Sequence, residues 1–321
     1  MKKLILFSLL VSFYGYTQNY KVGDTIYLNK KVPSKKSEAS TYLIVKKDTL
    51  VNYKKLYKMV SYNLKKDSSA FYKRSIYYTI DPLLSNSYHK HISFFENGNK
   101  SAEGYGSRSE NYGKWTHWYE NGQKKDVQIF FKNKKKLTKK GKAPKMIAFW
   151  DKNGNQLIKN GNGAYLYTRD STEIKGFYRK GKKHGKFTSH VNDRKRYEEF
   201  YKKGKLLEGK SWDKKGKEYT YTETFVTPKF PKGQKGIAEH IKNNFVIPQY
   251  AYDNDIAGRI ILTFKINKDS SISDIKIIKK VCEPCDQEAI RVIKLMKNWT
   301  PGISRGQKVR VGYTIPITYN L

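Results

Sequence analysis

Two cysteines carry the clearest chemical spacing in the chain. They form the motif Cys282-Glu283-Pro284-Cys285, which lies just before a predicted helix. A helix N-terminus lowers the pKa of a thiol, so such a pair can be redox-active. In an oxidising compartment the same spacing gives a structural disulfide, although so short a loop adds little entropic stabilisation. We expect a disulfide between Cys282 and Cys285, with free thiols and a redox pair as the alternatives.

No other group of residues in the sequence suggests catalysis or a cofactor. The six histidines are scattered. Only His89 and His91 would share one strand face, where a surface or packing role is favoured over metal binding. Paired carboxylates, a Ser/His/Asp arrangement and a phosphate-binding loop are not visible as local patterns. A zinc site would need ligands brought to the cysteines from elsewhere. We therefore expect no enzyme activity, no cofactor and no metal site.

The C-terminal residues predict a β-strand with one buried face. Apolar and non-apolar residues alternate strictly over 309–321. Pro316 lacks a backbone donor, which is typical of an edge strand or of a locally broken one. An exposed edge can accept a strand from another chain. The residues that we expect to bind a partner in this way are Val309, Arg310, Val311, Gly312, Tyr313, Thr314, Ile315, Ile317 and Tyr319.

The residues before this strand predict a small α+β domain over 236–321. A weak helix at 236–244 precedes two strand-like segments, 260–266 and 272–277, which are joined by turn residues. A second helix opens at Asp286, carries an apolar stripe of Ala289, Val292, Ile293 and Met296, and stops at 299–302. The predicted order is helix, strand, strand, helix, strand.

This segment resembles the C-terminal domain of the TonB family, in the version found in Bacteroidetes envelope proteins. The resemblance covers residues 230–321, with Ser270 and Ile247 as local departures from the family pattern. It implies binding to a peptide segment of an envelope or outer-membrane protein and a link to TonB-dependent outer-membrane transport. The motifs that carry it are Phe230-Pro231-Lys232-Gly233, Ile247-Pro248, Gly258-Arg259-Ile260, Lys268-Asp269, Asp286-Gln287-Glu288-Ala289-Ile290-Arg291, Trp299-Thr300-Pro301-Gly302, Gly306-Gln307-Lys308-Val309 and Tyr313-Thr314-Ile315-Pro316-Ile317.

The N-terminus has the pattern of a secretory signal peptide over residues 1–18. A basic start, Met1-Lys2-Lys3, is followed by an apolar segment and by the small or polar residues Gly15-Tyr16-Thr17-Gln18. The apolar segment is shorter than the roughly 20 residues that span a bilayer. We expect cleavage and a location in the periplasm or cell envelope. An uncleaved membrane anchor is the alternative.

Residues 94–225 predict a series of short β-hairpins. The glycines expected in the turns are spaced 24, 32, 27 and 23 residues apart, and a period in the twenties is typical of repeats. One hairpin cannot bury enough surface alone, so we expect stacked hairpins. The units resemble MORN repeats and the related YwqK-type antitoxin repeats, most clearly from Phe177 to Phe187. The expected turn glycines are Gly98, Gly122, Gly154, Gly181 and Gly204.

The remaining regions complete the predicted domain order. Residues 19–93 contain strand-like pieces such as Thr41-Tyr42-Leu43-Ile44-Val45 and are expected to be β, as degenerate repeats or a cap of the repeat array. Residues 226–235 hold two prolines and a glycine and predict a linker. The predicted fold is thus a mainly β region of stacked hairpins followed by a small α+β TonB-like domain.

Positive charge is concentrated before the C-terminal domain. Residues 236–321 hold 13 Lys or Arg and 8 Asp or Glu, so +32 of the formal charge of +37 precedes them. Runs such as Lys132-Asn133-Lys134-Lys135-Lys136 favour anionic partners, among them lipid phosphates, lipopolysaccharide and acidic glycans. The same lysines also keep strand edges soluble. Nucleic acid is not expected as a partner of a secreted protein.

The sequence as a whole predicts a non-catalytic envelope protein that binds a protein partner by β-strand addition to its final strand. The alternative is a basic structural scaffold that binds anionic envelope components through its repeat region. A homodimer that pairs two C-terminal edges also remains open.

Overall fold

The computed structural model describes residues 23–29, 32–33, 39–51, 54–65, 70–79, 90–106, 110–131 and 143–321. The predicted signal peptide, His89 and the lysine run at 132–136 lie outside the described residues. The chain divides into two compact units. We call Met1–Arg169 with Ile174–Gly185 the repeat unit, and Asp170–Glu173 with Lys186–Leu321 the C-terminal unit. Within the described residues, no helix has the length and apolar character needed to cross a bilayer.

The repeat unit is an antiparallel β meander. From β3 to β12 each strand pairs with the next along the chain, and β1 pairs with both β2 and β3. This confirms the predicted strand-rich region. Its strands are β1 Thr25–Asn29, β2 Val32–Pro33, β3 Thr41–Val51, β4 Lys54–Leu64, β5 Phe71–Thr79, β6 Lys90–Phe94, β7 Lys100–Gly106, β8 Asn111–Trp118, β9 Lys124–Phe130, β10 Lys145–Trp150, β11 Gln156–Lys159 and β12 Asn162–Arg169. β13 (Thr172–Arg179) and β14 (Lys182–Val191) have residues in both units.

The expected turn glycines all adopt positive φ, from 75° at Gly181 to 88° at Gly98 and Gly154. In the wider turns the glycine N–H donates back to a strand end, as Gly98 does to the Phe95 carbonyl at 3.1 Å. In the tight turns two successive residues have positive φ, as at Lys180-Gly181 and Lys203-Gly204, which is the twist of a type I′ hairpin. The glycine spacing therefore marks hairpin turns, as predicted.

Neighbouring hairpins of the repeat unit are tied together at their turns. Asn97 and Asn99 each donate their side-chain amide to the Glu120 carbonyl at 2.8 Å. Asn121 reaches the Lys152 carbonyl in the same way at 3.5 Å. Because each turn supports the next, the Asn-Gly signature serves stacking as well as chain reversal.

In the repeat unit a large aromatic ring fills the space that a side chain would need at a neighbouring glycine. The buried Trp115 ring lies over Gly104, where a Cβ atom would come within 2.2 Å of the ring. Its indole N–H donates to the Tyr105 carbonyl at 2.7 Å, so the ring is also fixed by a hydrogen bond. The Gly-x-aromatic motif thus places Trp115 on a strand face that a neighbouring glycine has left open.

The C-terminal unit contains the last hairpins and the α+β domain. β15, β16 and β17 form an antiparallel sheet, β18, β21 and β22 a small second sheet, and β20, β19 and β23 a third, in that order. The elements are β15 Arg194–Lys202, β16 Lys205–Trp212, β17 Glu218–Tyr221, β18 Phe225–Val226, α1 Gly233–Asn244, α2 Gln249–Asp253, β19 Gly258–Ile266, β20 Ile272–Lys279, α3 Glu283–Lys294, β21 Gly302–Ser304, β22 Gln307–Val309 and β23 Val311–Tyr319.

The core of the α+β domain lies between α3 and one face of the β20–β19–β23 sheet. Alternate residues of β19 are fully buried, and so is the apolar stripe that the sequence predicts for α3. β23 adds Ile315, Ile317 and Tyr319 to the same core. The predicted helix, strand, strand, helix, strand order is confirmed. Helix α2 and the β21–β22 hairpin are additions that the sequence patterns did not reveal.

The predicted linker is paired along part of its length. Val226 pairs with Ile303 of β21, and Lys229 forms a bridge with Thr300. The Phe230 ring packs on the Trp299 ring with centroids 5.2 Å apart. Residues 226–235 therefore contribute a strand and a core contact to the α+β domain.

Candidate functional site

The final strand is an edge strand of the C-terminal sheet. All nine residues of β23 pair with β19 in one register, from Gly258 opposite Tyr319 to Ile266 opposite Val311. Among the described residues no strand pairs with the other side of β23. The edge-strand prediction is therefore confirmed, and backbone groups on that side are open to pairing.

The side chains of β23 alternate between the core and the surface. Val311 and Tyr313 are half-buried, and Ile315, Ile317 and Tyr319 are buried. Gly312, Thr314, Pro316 and Thr318 are exposed. Of the residues predicted to bind a partner, only Gly312 and Thr314 in this strand are exposed. Thr318 was not predicted, although the same alternation points to it.

The predicted continuous strand from Val309 is wrong at its start. Val309 ends β22 and pairs with Gly302 in a different sheet. Arg310 lies between the two strands and donates from Nη2 to Ser273 Oγ at 2.8 Å, with Asp274 Oδ2 at 3.1 Å. Arg310 thus lies where the chain passes from one sheet to the other, and it is fixed there by β20. Hydrophobic alternation continues through the break and could not show it.

The opposite edge of the sheet differs from β23. β20 carries Asp274, Lys276 and Lys279, whereas β23 has no charged residue. The register between β19 and β20 shifts twice, and Asp274 has a φ of 53°. Charges and bulges are the features by which natural proteins block an edge. Of the two edge strands, β23 is thus the one that has no register shift and no charged residue.

The cysteines are joined by the predicted disulfide. Cys282 is the N-cap of α3, and its Sγ accepts the Cys285 N–H at 3.1 Å. Cys285 is fully buried, and its Sγ accepts the Tyr319 hydroxyl of β23 at 2.9 Å. Burial raises the pKa of Tyr319, and the nearby Asp286 charge adds to this shift. The disulfide therefore touches the last residue of the candidate binding strand.

A buried charged cluster holds the β21–β22 hairpin, and sequence reasoning missed it. Arg305 Nε donates to Glu199 Oε1 at 2.8 Å, and Glu199 is fully buried. The hydroxyls of Tyr201 and Tyr221 donate to the same carboxylate at 2.8 and 2.9 Å. The Arg305 guanidinium also lies 4.0 Å from the centre of the Tyr197 ring. These contacts attach the last repeat strands to the α+β domain within the C-terminal unit.

Several described lysines of the hairpins lie over aromatic rings. Lys100 lies 4.8 Å from the Trp118 ring centre and contacts Glu103 at 2.6 Å. Lys195 is likewise 4.8 Å from the Trp212 ring centre. Such pairs cover ring faces while the ammonium group stays near water. Packing therefore accounts for part of the basic composition of the hairpins.

The described residues contain no group of three or more His, Cys, Asp or Glu side chains that could hold a metal ion. His91 lies beside the Trp115 ring with centroids 6.0 Å apart, and burial lowers its pKa. His117 contacts Asp126 at 2.7 Å, and no third such group joins them. His91 and His117 therefore belong to the aromatic packing around Trp115.

Comparison with known proteins assigns the C-terminal domain. Residues 243–321 match the family model of the Gram-negative bacterial TonB protein C-terminal. These residues are similar to the TonB C-terminal family. The chain is also similar to the NMR solution structure of Helicobacter pylori TonB-CTD (residues 179–285). The match has 28% sequence identity and a TM-score of 0.23, and it covers 26% of this chain and 77% of the Helicobacter pylori chain. No curated protein matches the chain. Domains of this family are non-enzymatic, lie in the periplasm or envelope and interact with outer-membrane proteins during transport.

Proposed function

We propose that the TonB-like domain binds a peptide segment of an envelope or outer-membrane protein by strand addition to the free edge of β23. The observation that carries this proposal is the contrast between the two sheet edges. β23 pairs with β19 without a register shift and is uncharged, whereas the β19–β20 register shifts twice and β20 is charged. An open edge supplies affinity through main-chain hydrogen bonds, and alternate side chains supply selectivity.

Pro316 indicates which backbone groups of β23 a partner would meet. A proline in a sheet places its missing donor on the unpaired side of an edge strand. Backbone groups alternate in direction with the side chains, so Gly312, Thr314 and Thr318 share the direction of Pro316. Their N–H groups are the donors offered to a partner, and Pro316 interrupts the row. A bound peptide would therefore pair best beside Gly312 and Thr314.

The test removes one backbone N–H that points away from β19 and leaves the rest of the strand unchanged. Thr314→Pro deletes the N–H at the centre of the proposed site, and Thr314→Val keeps that N–H with a side chain of similar shape. Full-length wild type and both variants are used to capture proteins from an envelope extract, and each bound protein is quantified by mass spectrometry. We expect a protein held by wild type and Thr314→Val and reduced about tenfold by Thr314→Pro, because one lost backbone hydrogen bond costs about 1 kcal/mol and the ring also obstructs the edge.

A variant of the other edge serves as the matched control. Ile277→Pro deletes an outward N–H of β20, because Ile277 lies opposite Leu262, whose backbone groups point towards β23. This variant should leave capture unchanged. Circular dichroism melts show whether each variant is folded. Equal capture by wild type and a folded Thr314→Pro chain, or equal losses with folded Thr314→Pro and Ile277→Pro chains, would reject strand addition at β23.

A further inference from the structure

The disulfide at the start of α3 joins one partly exposed and one buried cysteine. Cys282 is half-buried at the N-cap, whereas Cys285 is fully buried one helical turn inside. Pro284 and Glu283 between them are exposed. An attacking thiol can therefore approach Cys282 and is kept from Cys285. Such asymmetry fixes which sulfur is attacked and which one leaves.

The surroundings of Cys282 would stabilise its thiolate. Its Sγ already accepts the Cys285 N–H at 3.1 Å, and it lies at the positive end of the α3 dipole. Cysteines at helix N-termini have lowered thiol pKa values for this reason. The carboxylates of Glu283 and Asp286 in the first turn oppose the effect, and Lys280 precedes the motif. The amide donor is the contact made directly to the sulfur.

A buried carboxyl group follows the second cysteine, and one of its oxygens has no hydrogen-bond partner among the described residues. Asp286 is 3% exposed, and its Oδ1 accepts the Val281 N–H at 3.2 Å. Its Oδ2 has no hydrogen-bond partner among the described residues. Burial raises the pKa of this carboxyl, so it can hold a proton more readily than a surface aspartate. Burying such a group costs stability, which a purely structural disulfide does not explain.

The stabilising value of the disulfide itself is small. Only two residues separate the cysteines, and loop-closure entropy grows with the length of the closed loop. A serine or aspartate would cap α3 equally well. Neither chain cross-linking nor helix capping therefore accounts for this pair of cysteines.

We propose that Cys282–Cys285 is a site of thiol–disulfide exchange, with Cys282 as the exchanging sulfur, Cys285 as the resolving sulfur and an accessible protein dithiol as the substrate. A thiolate of the dithiol attacks Cys282 Sγ, the Cys282–Cys285 bond breaks, and a mixed disulfide forms on Cys282. Cys285 leaves as a thiolate and takes up a proton. The second thiol of the substrate then releases Cys282 and closes the substrate disulfide, so the pair gains two electrons and the substrate loses two.

Tyr319 and Asp286 each have a role in these exchange steps. The Tyr319 hydroxyl donates to Cys285 Sγ and would stabilise that sulfur as it leaves. The unpartnered Asp286 oxygen can hold the proton that the buried Cys285 needs, since an ionised thiol in an apolar core is costly. In the reverse direction the Cys282–Cys285 disulfide is regenerated by the same steps.

The first experiment compares two single-cysteine full-length chains. Native Cys285→Ser and Cys282→Ser are treated with a maleimide, and labelling is followed by mass spectrometry, with urea-unfolded samples as the reference. We expect native Cys285→Ser to be labelled at least about tenfold faster than Cys282→Ser, because only Cys282 is accessible and activated. Both should react alike in urea. Equal native rates would reject the assigned roles.

The second experiment needs no variant and tests exchange itself. The oxidised wild-type chain is incubated with dithiothreitol in the native state and in urea, and free thiols are trapped with time. We expect native reduction to proceed within about tenfold of the rate in urea. A disulfide that is reduced only after unfolding would overturn the proposal, whichever way the labelling of the single-cysteine chains turns out.

Discussion

At the scale of single residues, Glu288 is the side chain that ties α3 to the segment before α2. Its Oε1 accepts the Val246 N–H at 2.8 Å, and its carboxylate also accepts Arg291 Nε at 2.7 Å. Arg291 in turn donates to the Asn244 carbonyl at 2.6 Å. The hydrogen bond from Arg291 is the main cause of a lowered Glu288 pKa; burial opposes it and the Val246 N–H adds to it. One carboxylate thus connects two elements that local patterns could not relate.

Replacing this carboxylate should make stability less dependent on pH. A carboxyl whose pKa is lowered by folding contributes stability above its unfolded pKa of 4.5 and loses that contribution as pH falls through the folded value. We expect Glu288→Gln to lower the free energy of unfolding by about 1 kcal/mol at neutral pH, and the gap to wild type to close in acid. Urea titrations at several pH values measure this. Asp255→Asn, an exposed charge removal in the same domain, is the control, and an equal loss in both variants would contradict the assignment.

At the scale of elements, the β21–β22 hairpin depends on the strands of the last repeat. Glu199→Gln keeps the shape of the buried side chain but leaves Arg305 without its countercharge. We expect a loss of about 2 kcal/mol, below the range for fully buried pairs because the Arg305 side chain is 33% exposed. Chemical unfolding of the full chain measures it. The control is Glu208→Gln, at an exposed position of β16. A Glu199→Gln chain as stable as this control would show that the cluster does not hold the hairpin.

Elements with a sustained hydrophobic period could be predicted from the sequence. Very short elements and contacts between residues distant in sequence could not. The apolar stripe of α3 and the alternation of β23 are local patterns, and the positive φ of the turn glycines follows from residue type. Helix α2 has only five residues, and β21 and β22 have three each, too few for a period to show. Arg305 and Glu199 are 106 residues apart in sequence. Their pairing is a product of the fold, and so is the role of Arg310 at the break before β23.

At the scale of the whole molecule, charge and binding edge are separated along the chain. The residues before 236 carry +32, whereas the proposed edge of β23 has no charged residue. The proposed backbone pairing at β23 acts at short range, whereas the alternative of anionic partners held by the lysines would act at long range. They differ in their response to salt, because screening acts on charges and leaves main-chain hydrogen bonds largely unaffected.

A wash at high salt should therefore distinguish partners held by charge from partners held by β23, among the proteins that the full-length chain captures from an envelope extract. Raising the ionic strength from about 0.1 M to about 1 M shortens the Debye length from roughly 10 Å to roughly 3 Å. Partners held by the lysines should be released by this wash, and they should be captured equally by wild type and Thr314→Pro. A partner held by β23 should survive the wash on wild type and Thr314→Val and be reduced about tenfold on Thr314→Pro. If every protein that Thr314→Pro fails to capture were also removed by salt, the basic region would be the principal binding surface and the edge of β23 would not.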